Sequence, residues 1–479
     1  MLGIVVSRAD SASERIGEHL RSLADWEETT DDSRPDAEGG GAVYRLRDDE
    51  GRPDAELRVF DDLHIYLTGV EEAFDADLDC LAFVSRHAGD TGPLLTAHPT
   101  GNVGQAEYGG EDHRFARAAP GALKRVRESL DRYAPEDYDV GMECTHHGPT
   151  NLDTPSLFVE VGSDEAQWAD DDAARAVARA TLDLRDVDPT PERTLVGFGG
   201  GHYVPRFERV VRETDWAVGH VAADWGLDDL PEDPETYRAV LRRAFERSGA
   251  TRVLVDGERS FLRETLADLG YEVVSETWTR ETTGVPLALV ERLEREVASV
   301  DEGLRFGALA RDAGSVSESD DVADYTVLAL PDDLLAEANG IDHETTLAAV
   351  RERSVAVATD EGGTRLAGPA VVPAAVENSS SEDDPVTPLV DALVGVLETT
   401  YDHVERGDEA VVVRDRAFDP DLARERGVSE GPAFGRLSAG ETVEVDGRVV
   451  APADVHRERE RRFSLDALSD TRRTSSKDS

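Results

Sequence analysis

From Gly3 to Val255 the chain repeats one local pattern, a short and mostly apolar run, a turn, and then a stretch with helical periodicity. That alternation points to an α/β domain, because parallel strands need a long crossover between them and a helix is the usual one. Strand candidates fall at Gly3–Val6, Leu57–Phe60, His64–Leu67, Cys80–Val84, Leu94–Ala97, Tyr138–Met142, Leu157–Val161, Thr194–Phe198, Trp216–Val221 and Arg252–Val255. The clearest helix is Pro234–Ser248. Asp233 can cap it, Pro234 suits its first position, and Tyr237, Val240, Leu241 and Ala244 recur on one face before Gly249 ends it. The expectation is a mostly parallel or mixed sheet with flanking helices, followed by a smaller mixed α/β domain.

Polar, glycine-rich or acidic stretches at Glu27–Gly41, Asp164–Ala173, Asp312–Asp324 and Glu377–Asp384 read as surface loops or linkers. The third divides the chain best. It gives a main domain over 1–285, a helical and acidic linker over 286–324, an accessory domain over 325–463 and a Ser/Arg/Asp tail over 464–479 expected to be disordered. No repeat of fixed period is present.

Charge narrows the setting. Acidic residues number 102 against 51 basic ones, for a formal net charge of −51, and Lys124 and Lys477 are the only lysines. Such a charge would loosen a compact fold in dilute buffer, whereas molar salt shortens the screening length to about 3 Å and removes most of the repulsion. A salt-rich cytoplasm accounts for this composition. Acidity normally counts against a nucleic-acid ligand, but the counterion-release term nearly vanishes at molar salt, so RNA stays open. With only Cys80 and Cys144 there is neither a disulfide framework nor a CxxC metal motif. No stretch approaches 18 uninterrupted apolar residues. A soluble cytoplasmic protein is expected, with neither membrane nor DNA as partner; monomer and homodimer both stay open.

Six of the 12 histidines, His87, His98, His146, His147, His202 and His220, stand at or just after the end of an apolar run. The runs are LAFVSRH, LLTAH, YDVGMECTHH, LVGFGGGH and WAVGH. Carboxyl ends of strands share one edge of an open parallel sheet, and ligands bind there, so distant histidines can converge. Imidazole is the commonest zinc ligand, and catalytic zinc takes roughly three protein ligands with one position open. Glu143 and Glu160 accompany the histidines, able to bind metal or to take a proton from water. In GFGGGHYVPRF, the amides of Gly199, Gly200 and Gly201 could meet a developing oxyanion. GxxxxGK[ST], GxSxG and HExxH are all absent, which argues against P-loop NTPases, common serine hydrolases and thermolysin-like peptidases.

Ser85-Arg86-His87, LTAHPTGN ending at Asn102, ECTHHGPT from Glu143 to Thr150, FVEVGS around Glu160, GGGHYVPRF from Gly199 to Phe207, and Gly219-His220 follow one another in order. Together they resemble the motif set of the archaeal and plant D-aminoacyl-tRNA deacylases, over about residues 1 to 280. The resemblance implies a fold of the phosphorylase and peptidyl-tRNA-hydrolase kind, two zinc ions per subunit, and tRNA charged with a D-amino acid as substrate. Metal is expected on a subset of His87, His98, His146, His147, His202 and His220, with Glu160 able to join, and the chemistry on Glu143, His146, His147 and Gly199–Gly201. Arg86, Asn102, Thr150, Tyr203 and Arg206 enter as candidate substrate contacts. The chain departs from the family in reading Asp256-Gly257-Glu258-Arg259, where members tend to carry a lysine. Residues Gly427 to Val455 resemble a segment of the tRNase Z type of tRNA 3′-end processing endonucleases, without that family's metal ligands.

Two arginine-rich groups, Arg114 to Arg132 and Arg238 to Arg247, could face tRNA or simply be solvated helix faces. The residues alone also admit a zinc-dependent peptidase, amidase or phosphorylase acting on small substrates, and a non-catalytic RNA-binding protein with a structural metal.

Overall fold

A computed structural model describes residues 1–74, 76–314, 325–374, 386–466 and 472–474. The chain divides into two compact units, Met1–Thr283 and Gly284–Ser479. Among the described residues no helix is long and apolar enough to cross a membrane.

Among its described residues the first unit holds twelve strands: β1 (Leu2–Ser7), β2 (Glu27–Asp31), β3 (Gly41–Arg47), β4 (Pro53–Phe60), β5 (Cys80–Arg86), β6 (Leu94–His98), β7 (Asp139–Met142), β8 (Ser156–Gly162), β9 (Thr194–Phe198), β10 (Ala217–Ala222), β11 (Arg252–Val255) and β12 (Glu272–Val274). Its helices are α1 (Ser11–Leu23), α2 (Pro120–Tyr133), α3 (Glu165–Trp168), α4 (Asp171–Leu182), α5 (Pro205–Glu213), α6 (Asp224–Asp228), α7 (Pro234–Ser248), α8 (Ser260–Asp268) and α9 (Glu276–Glu281). The strands form two sheets. One is mixed and eight-stranded, in the order β2-β3-β4-β1-β5-β8-β6-β7; the other has the order β10-β9-β11-β12 and is parallel throughout. The mixed α/β expectation holds.

Strands buried on both faces read as unbroken apolar runs, as β1 and β5 do. Helix α7 forms as its sequence demands, with the Asp233 carboxylate accepting from the Thr236 amide and Gly249 closing the helix at φ +64°. Its Val240, Leu241, Ala244 and Phe245 pack with Val196, Phe198 and Val253 of the parallel sheet. A second cluster joins Val5, Leu81, Phe83 and Phe158 beneath the mixed sheet.

Several expectations are corrected. His64–Leu67 is no strand: His64–Tyr66 make a 3-10 turn, stabilised by the Leu67 amide bonding to the His64 carbonyl. Glu27–Gly41 is not all loop, since β2 pairs antiparallel with β3 at the sheet's edge, where solvent accepts its polar side chains. Asp164–Ala173 contains α3 and the start of α4, each capped by an aspartate. The stretch 286–324 is not a plain linker, because Leu304–Phe306 pairs with Ala356–Asp360 in the sheet of the second unit. Arg472–Thr474 pairs as a strand with Tyr325–Leu328 where a disordered tail was expected. Glu377–Asp384, and Asp312–Asp324 beyond Gly314, lie outside the described residues. The segment that resembles tRNase Z encloses its own small core of Val428, Leu437, Val443, Val450 and Val455.

Close packing between α7 and β10 is tightest at Gly219, where an added Cβ would lie 2.4 Å from Ser248 Oγ and 2.5 Å from Ser248 Cβ. Gly219→Ala should therefore destabilise the fold by about 1–3 kcal/mol through overpacking. Denaturant titration in molar KCl measures it; an unchanged midpoint would show that this contact relaxes freely.

Candidate metal centre

Five imidazoles and two carboxylates meet over β8. His98 ends β6 and lies opposite Phe158, so His98, Glu160 and Ser85 share one face of the sheet. Its ring stacks on Phe158 at 5.2 Å, and the His146 and His147 rings lie 4.1 and 4.9 Å from it. His202 closes on His146 at 4.8 Å. His87 follows β5, with Nδ1 3.3 Å from Glu143 and 3.5 Å from Glu160.

The meeting point is a sheet face, not the single carboxyl edge expected. Strand β6 runs antiparallel to β8, so its end comes down beside the middle of β8. The segment after β7 then passes between the two sheets. Cys144 donates its amide to the His202 carbonyl and Thr145 donates to Val221, each at 2.8 Å.

Tautomers follow from partners. His98, His146 and His147 each place Nδ1 on a backbone carbonyl, of Pro99, Cys144 and Gly148, at 3.1, 2.8 and 2.8 Å. Carbonyls only accept, so each Nδ1 carries the proton and each Nε2 presents a lone pair. Ligand atoms of His98, His146 and His147 lie within 4.8 Å of one another, and so do those of Cys144, His146 and His202 and of His87, Glu143 and Glu160. Two buried atoms here make no hydrogen bond, His98 Nε2 and Glu143 Oε1. Buried polar atoms without partners are costly, and a cation among these three donor groups would satisfy both. The residues fit a metal.

Burial opposes the charge of Glu143, but the hydrogen bond from His202 and the closeness of His87 outweigh it and hold the carboxyl well below the usual range. Glu160 is likewise lowered against its burial by His87, and the Ser85 hydroxyl donates to it at 2.7 Å. Desolvation lowers His87 less than the two carboxylates raise it, to about 11. Burial and the neighbouring His98 push His147 down to about 4. Asp10, Leu63, Ile65, Arg86, Tyr108, His87, His146, His147 and His202 line a cavity of about 420 Å³ over the cluster.

A family model described as D-aminoacyl-tRNA deacylase matches residues 74–274, the span that carries every residue of this cluster. The D-aminoacyl-tRNA deacylase of Halorubrum lacusprofundi is 54% identical over 98% of both chains. That of Natronomonas pharaonis is also 54% identical, over 97% of this chain and all of its own. The chain belongs to the D-aminoacyl-tRNA deacylase family. Unlike the halophile sequences, the crystal structure of a conserved protein of unknown function is 29% identical, with a TM-score of 0.51 over 59% of this chain and 98% of that one.

Among the residues this deacylase sequence nominated, the structure brings Glu143, Glu160, His87, His98, His146, His147 and His202 together. It places His220 elsewhere. The Thr145 hydroxyl, which accepts from the Val221 amide, donates to His220 Nδ1 at 3.1 Å, and His220 Nε2 donates to the Ala116 carbonyl at 2.9 Å. With both nitrogens engaged, His220 is a buried strut and not a ligand. The glycine loop also departs from expectation. Gly199 spends its amide on the Ala222 carbonyl and Gly200 on Asp224 Oδ1, so neither faces an oxyanion. Among the described residues only Gly201 of the three shows no such bond. Gly199 itself is demanded by φ +99° and by the Asp256 carbonyl 2.4 Å from where a Cβ would sit.

Asn102 and Thr150 tie down the loop before Arg114, Asn102 through the Gly109 and Glu111 carbonyls and Thr150 through the Glu111 amide. Arg206 is ion-paired to Asp256 and Glu276. Arg86 lies on the cavity wall, its guanidinium over the Trp168 ring. Tyr203 holds His87 Nε2 through its hydroxyl at 3.2 Å. Arg259, at the position where family members tend to carry lysine, pairs with Asp224. The arginine-rich groups are largely engaged: Arg127 with Glu208 and Asp131, Arg132 with Asp183, Arg238 with Asp268, Arg247 with Asp153.

Three participants escaped sequence reasoning. Cys144 carried a signal in its place inside ECTHH, but a single buried cysteine did not look like a ligand. His64 sits in a segment that looked like a strand; it lines the cavity, and burial pushes it down to about 4. Asp10 caps α1 and also accepts the Arg86 amide at 2.9 Å, joining the cavity wall to the first helix.

Burial holds His220 at about 4, below the ordinary 6.5, so the folded state favours its neutral form. That contribution is complete above pH 6.5 and is lost as pH falls toward 4. In His220→Gln, which keeps a donor toward Ala116, the loss of unfolding free energy over that window should shrink by roughly 3 kcal/mol. Denaturant titration at each pH measures this, and an identical acid limb in the variant would refute it.

Proposed function

We propose that the chain hydrolyses the ester joining a D-amino acid to tRNA in the cytoplasm, with zinc as its metal. One observation carries the reading. Three histidines with Nδ1 pinned to backbone carbonyls turn Nε2 toward one point beside a buried carboxylate. Three nitrogen donors are a frequent catalytic zinc set, and they leave a position for water or substrate. His98, His146 and His147 would hold one ion; Cys144 with His202, or His87 with Glu143 and Glu160, would hold a second. Zinc so held supplies Lewis acidity and a hydroxide nucleophile at neutral pH.

The remaining steps fall to the chain's own groups. Glu143 Oε2 is fixed by His202 Nε2 at 2.7 Å, which leaves Oε1 to take the proton of the attacking water. His87, held between Glu143 and Glu160, keeps the two carboxylates from repelling each other apart. The Tyr203 hydroxyl at the rim can donate to the ester carbonyl, and Arg86 supplies positive charge on the cavity wall. The family relatives extend over almost all of the chain and are D-aminoacyl-tRNA deacylases by name, which supports this reaction over the peptidase and RNA-binding alternatives.

Purified protein in molar KCl should release D-tyrosine from D-tyrosyl-tRNA, and a chelator should stop it. His98→Ala should lose bound zinc by atomic absorption. Glu143→Gln should lower kcat by about 10²–10⁴ with the fold retained; a variant of undiminished kcat removes Glu143 from the chemistry. The activity belongs, on this reading, to residues 1–283, the first unit, since the deacylase family model matches residues 74–274 and every residue of the centre lies within that span. That fragment should cleave D-tyrosyl-tRNA at a rate within a few-fold of the whole protein, and an inert but folded fragment would assign an essential part to the second unit.

A further inference from the structure

The described residues leave five large aromatic rings exposed: Tyr66 at 58%, Tyr108 at 63%, Tyr203 at 37%, Trp225 at 49% and Phe261 at 66%. Exposed rings gathered in one place, unlike single ones, are informative on a folded surface. Three of them surround the metal centre. Tyr108 lines the cavity, and its carbonyl accepts the Gly148 amide next to His147. Tyr203 stands edge-on to His202 at 4.9 Å, and its hydroxyl meets His87 Nε2 at 3.2 Å. Trp225 faces the Cys144 thiol. Tyr66 adds a fourth ring beside Tyr108, its Cδ1 3.3 Å from where a Cβ on Gly109 would stand. Phe261 alone is elsewhere, against Tyr237 of α7.

The cations of the same rim are engaged elsewhere, Arg86 with its guanidinium over the Trp168 ring. Arg206, Arg259 and Arg114 are each paired to a carboxylate, of Asp256, Asp224 and Glu111. Phosphate contacts also lose most of their strength at high salt, because the gain from counterion release disappears. Stacking of a base on an aromatic face does not depend on that gain and accepts any base. In aminoacyl-tRNA the ester is borne by the terminal ribose of an unpaired 3′ end. With the aminoacyl group in a cavity of about 420 Å³, the nucleotides that follow must cross its rim.

We infer that the unpaired 3′-terminal bases of the tRNA are held by stacking on Tyr108, Tyr203 and Trp225, and not by cations on their phosphates. This rests on the deacylase reading above and names the part of the substrate that the rim recognises.

The test measures kcat and KM for D-tyrosyl-tRNA in molar KCl, with D-tyrosine ethyl ester as a substrate that has no nucleotides. Tyr108→Ala and Trp225→Ala should each raise KM for the tRNA roughly ten- to a hundredfold, with a smaller effect on kcat. Tyr108→Phe and Trp225→Phe, which keep a ring, should restore it; Phe261→Ala should match the parent protein. Trp225 fluorescence, taken as the difference between the parent and Trp225→Phe, should be quenched by an RNA trinucleotide ending in adenosine. If wild type cleaves the tRNA and both alanine variants keep its KM within twofold, stacking is overturned and the deacylase reading survives. If KM rises equally with the ethyl ester, the rings act on the centre itself and the inference is wrong. A wild-type protein inert toward D-tyrosyl-tRNA removes both.

Discussion

Everything at the centre depends on how the five residues Glu143–His147 are strung between two sheets. Glu143 donates its amide to Ala97 of β6, Cys144 and Thr145 donate to His202 and Val221 on the other sheet's side, and the His147 carbonyl receives the Gly101 amide. Backbone bonds on both sides leave the segment little freedom, so alternate side chains are delivered to fixed points. His147 is held at φ +46°, a region that non-glycine residues enter only when their surroundings dictate it. The Thr100 hydroxyl, bonded to the His147 and Pro149 carbonyls, is part of that dictation. Without this bridge the imidazoles of β6 and those after β7 would have no reason to share a tautomer or a direction.

Two carboxylates are buried side by side in a chain that already carries a net charge of −51. Mutual repulsion and desolvation both work against them, and the surrounding imidazoles with the Ser85 hydroxyl compensate. His87 stands between Glu143 and Glu160, His202 takes the far oxygen of Glu143, and Ser85 takes one of Glu160. The surface charge is a separate matter, handled by salt; the buried charge is handled by geometry. That division explains why an unusually acidic protein can keep an anionic centre without a ring of arginines around it.

What could be read from the sequence was local. Apolar runs located most central strands, and the cap, proline and glycine of α7 defined both of its ends, because each of those signals acts within a few residues. Histidines at strand ends located the centre for the same reason. Strand direction was not legible: nothing in LLTAH says that β6 runs against β8, yet that reversal moves the site from an edge to a face. His220 shares its position after an apolar run with true members of the cluster. Its diversion to Thr145 and Ala116 depends on the contact between β10 and residues Ala116 and Thr145, distant in sequence. The glycine loop misled similarly, since conformational freedom at Gly199 and Gly200 is legible while the consumption of their amides by Ala222 and Asp224 is not. Edge strand β2 was hidden by its charge, because an edge tolerates polar residues on both faces.

The retention of one lysine ties the composition to the site. Arginine stands at all but two of the chain's 51 basic positions, Lys124 and Lys477, and Lys124 on α2 has its side chain only 21% exposed. Its ammonium donates to the Val211 carbonyl, and to the Thr214 carbonyl at 2.6 Å, at the end of α5. Carbonyls at a helix end lack internal partners and carry the negative pole of the helix, so a compact cation there stabilises the helix and fixes its lie. A planar guanidinium is broader and directs its donors in a fixed fork, which suits a carboxylate better than two carbonyls converging on one point. Helix α5 begins directly after His202, Tyr203 and the left-handed Val204, and its position determines where those rings stand. The lysine that the composition otherwise excludes is thus kept at the far end of the helix that presents one wall of the centre.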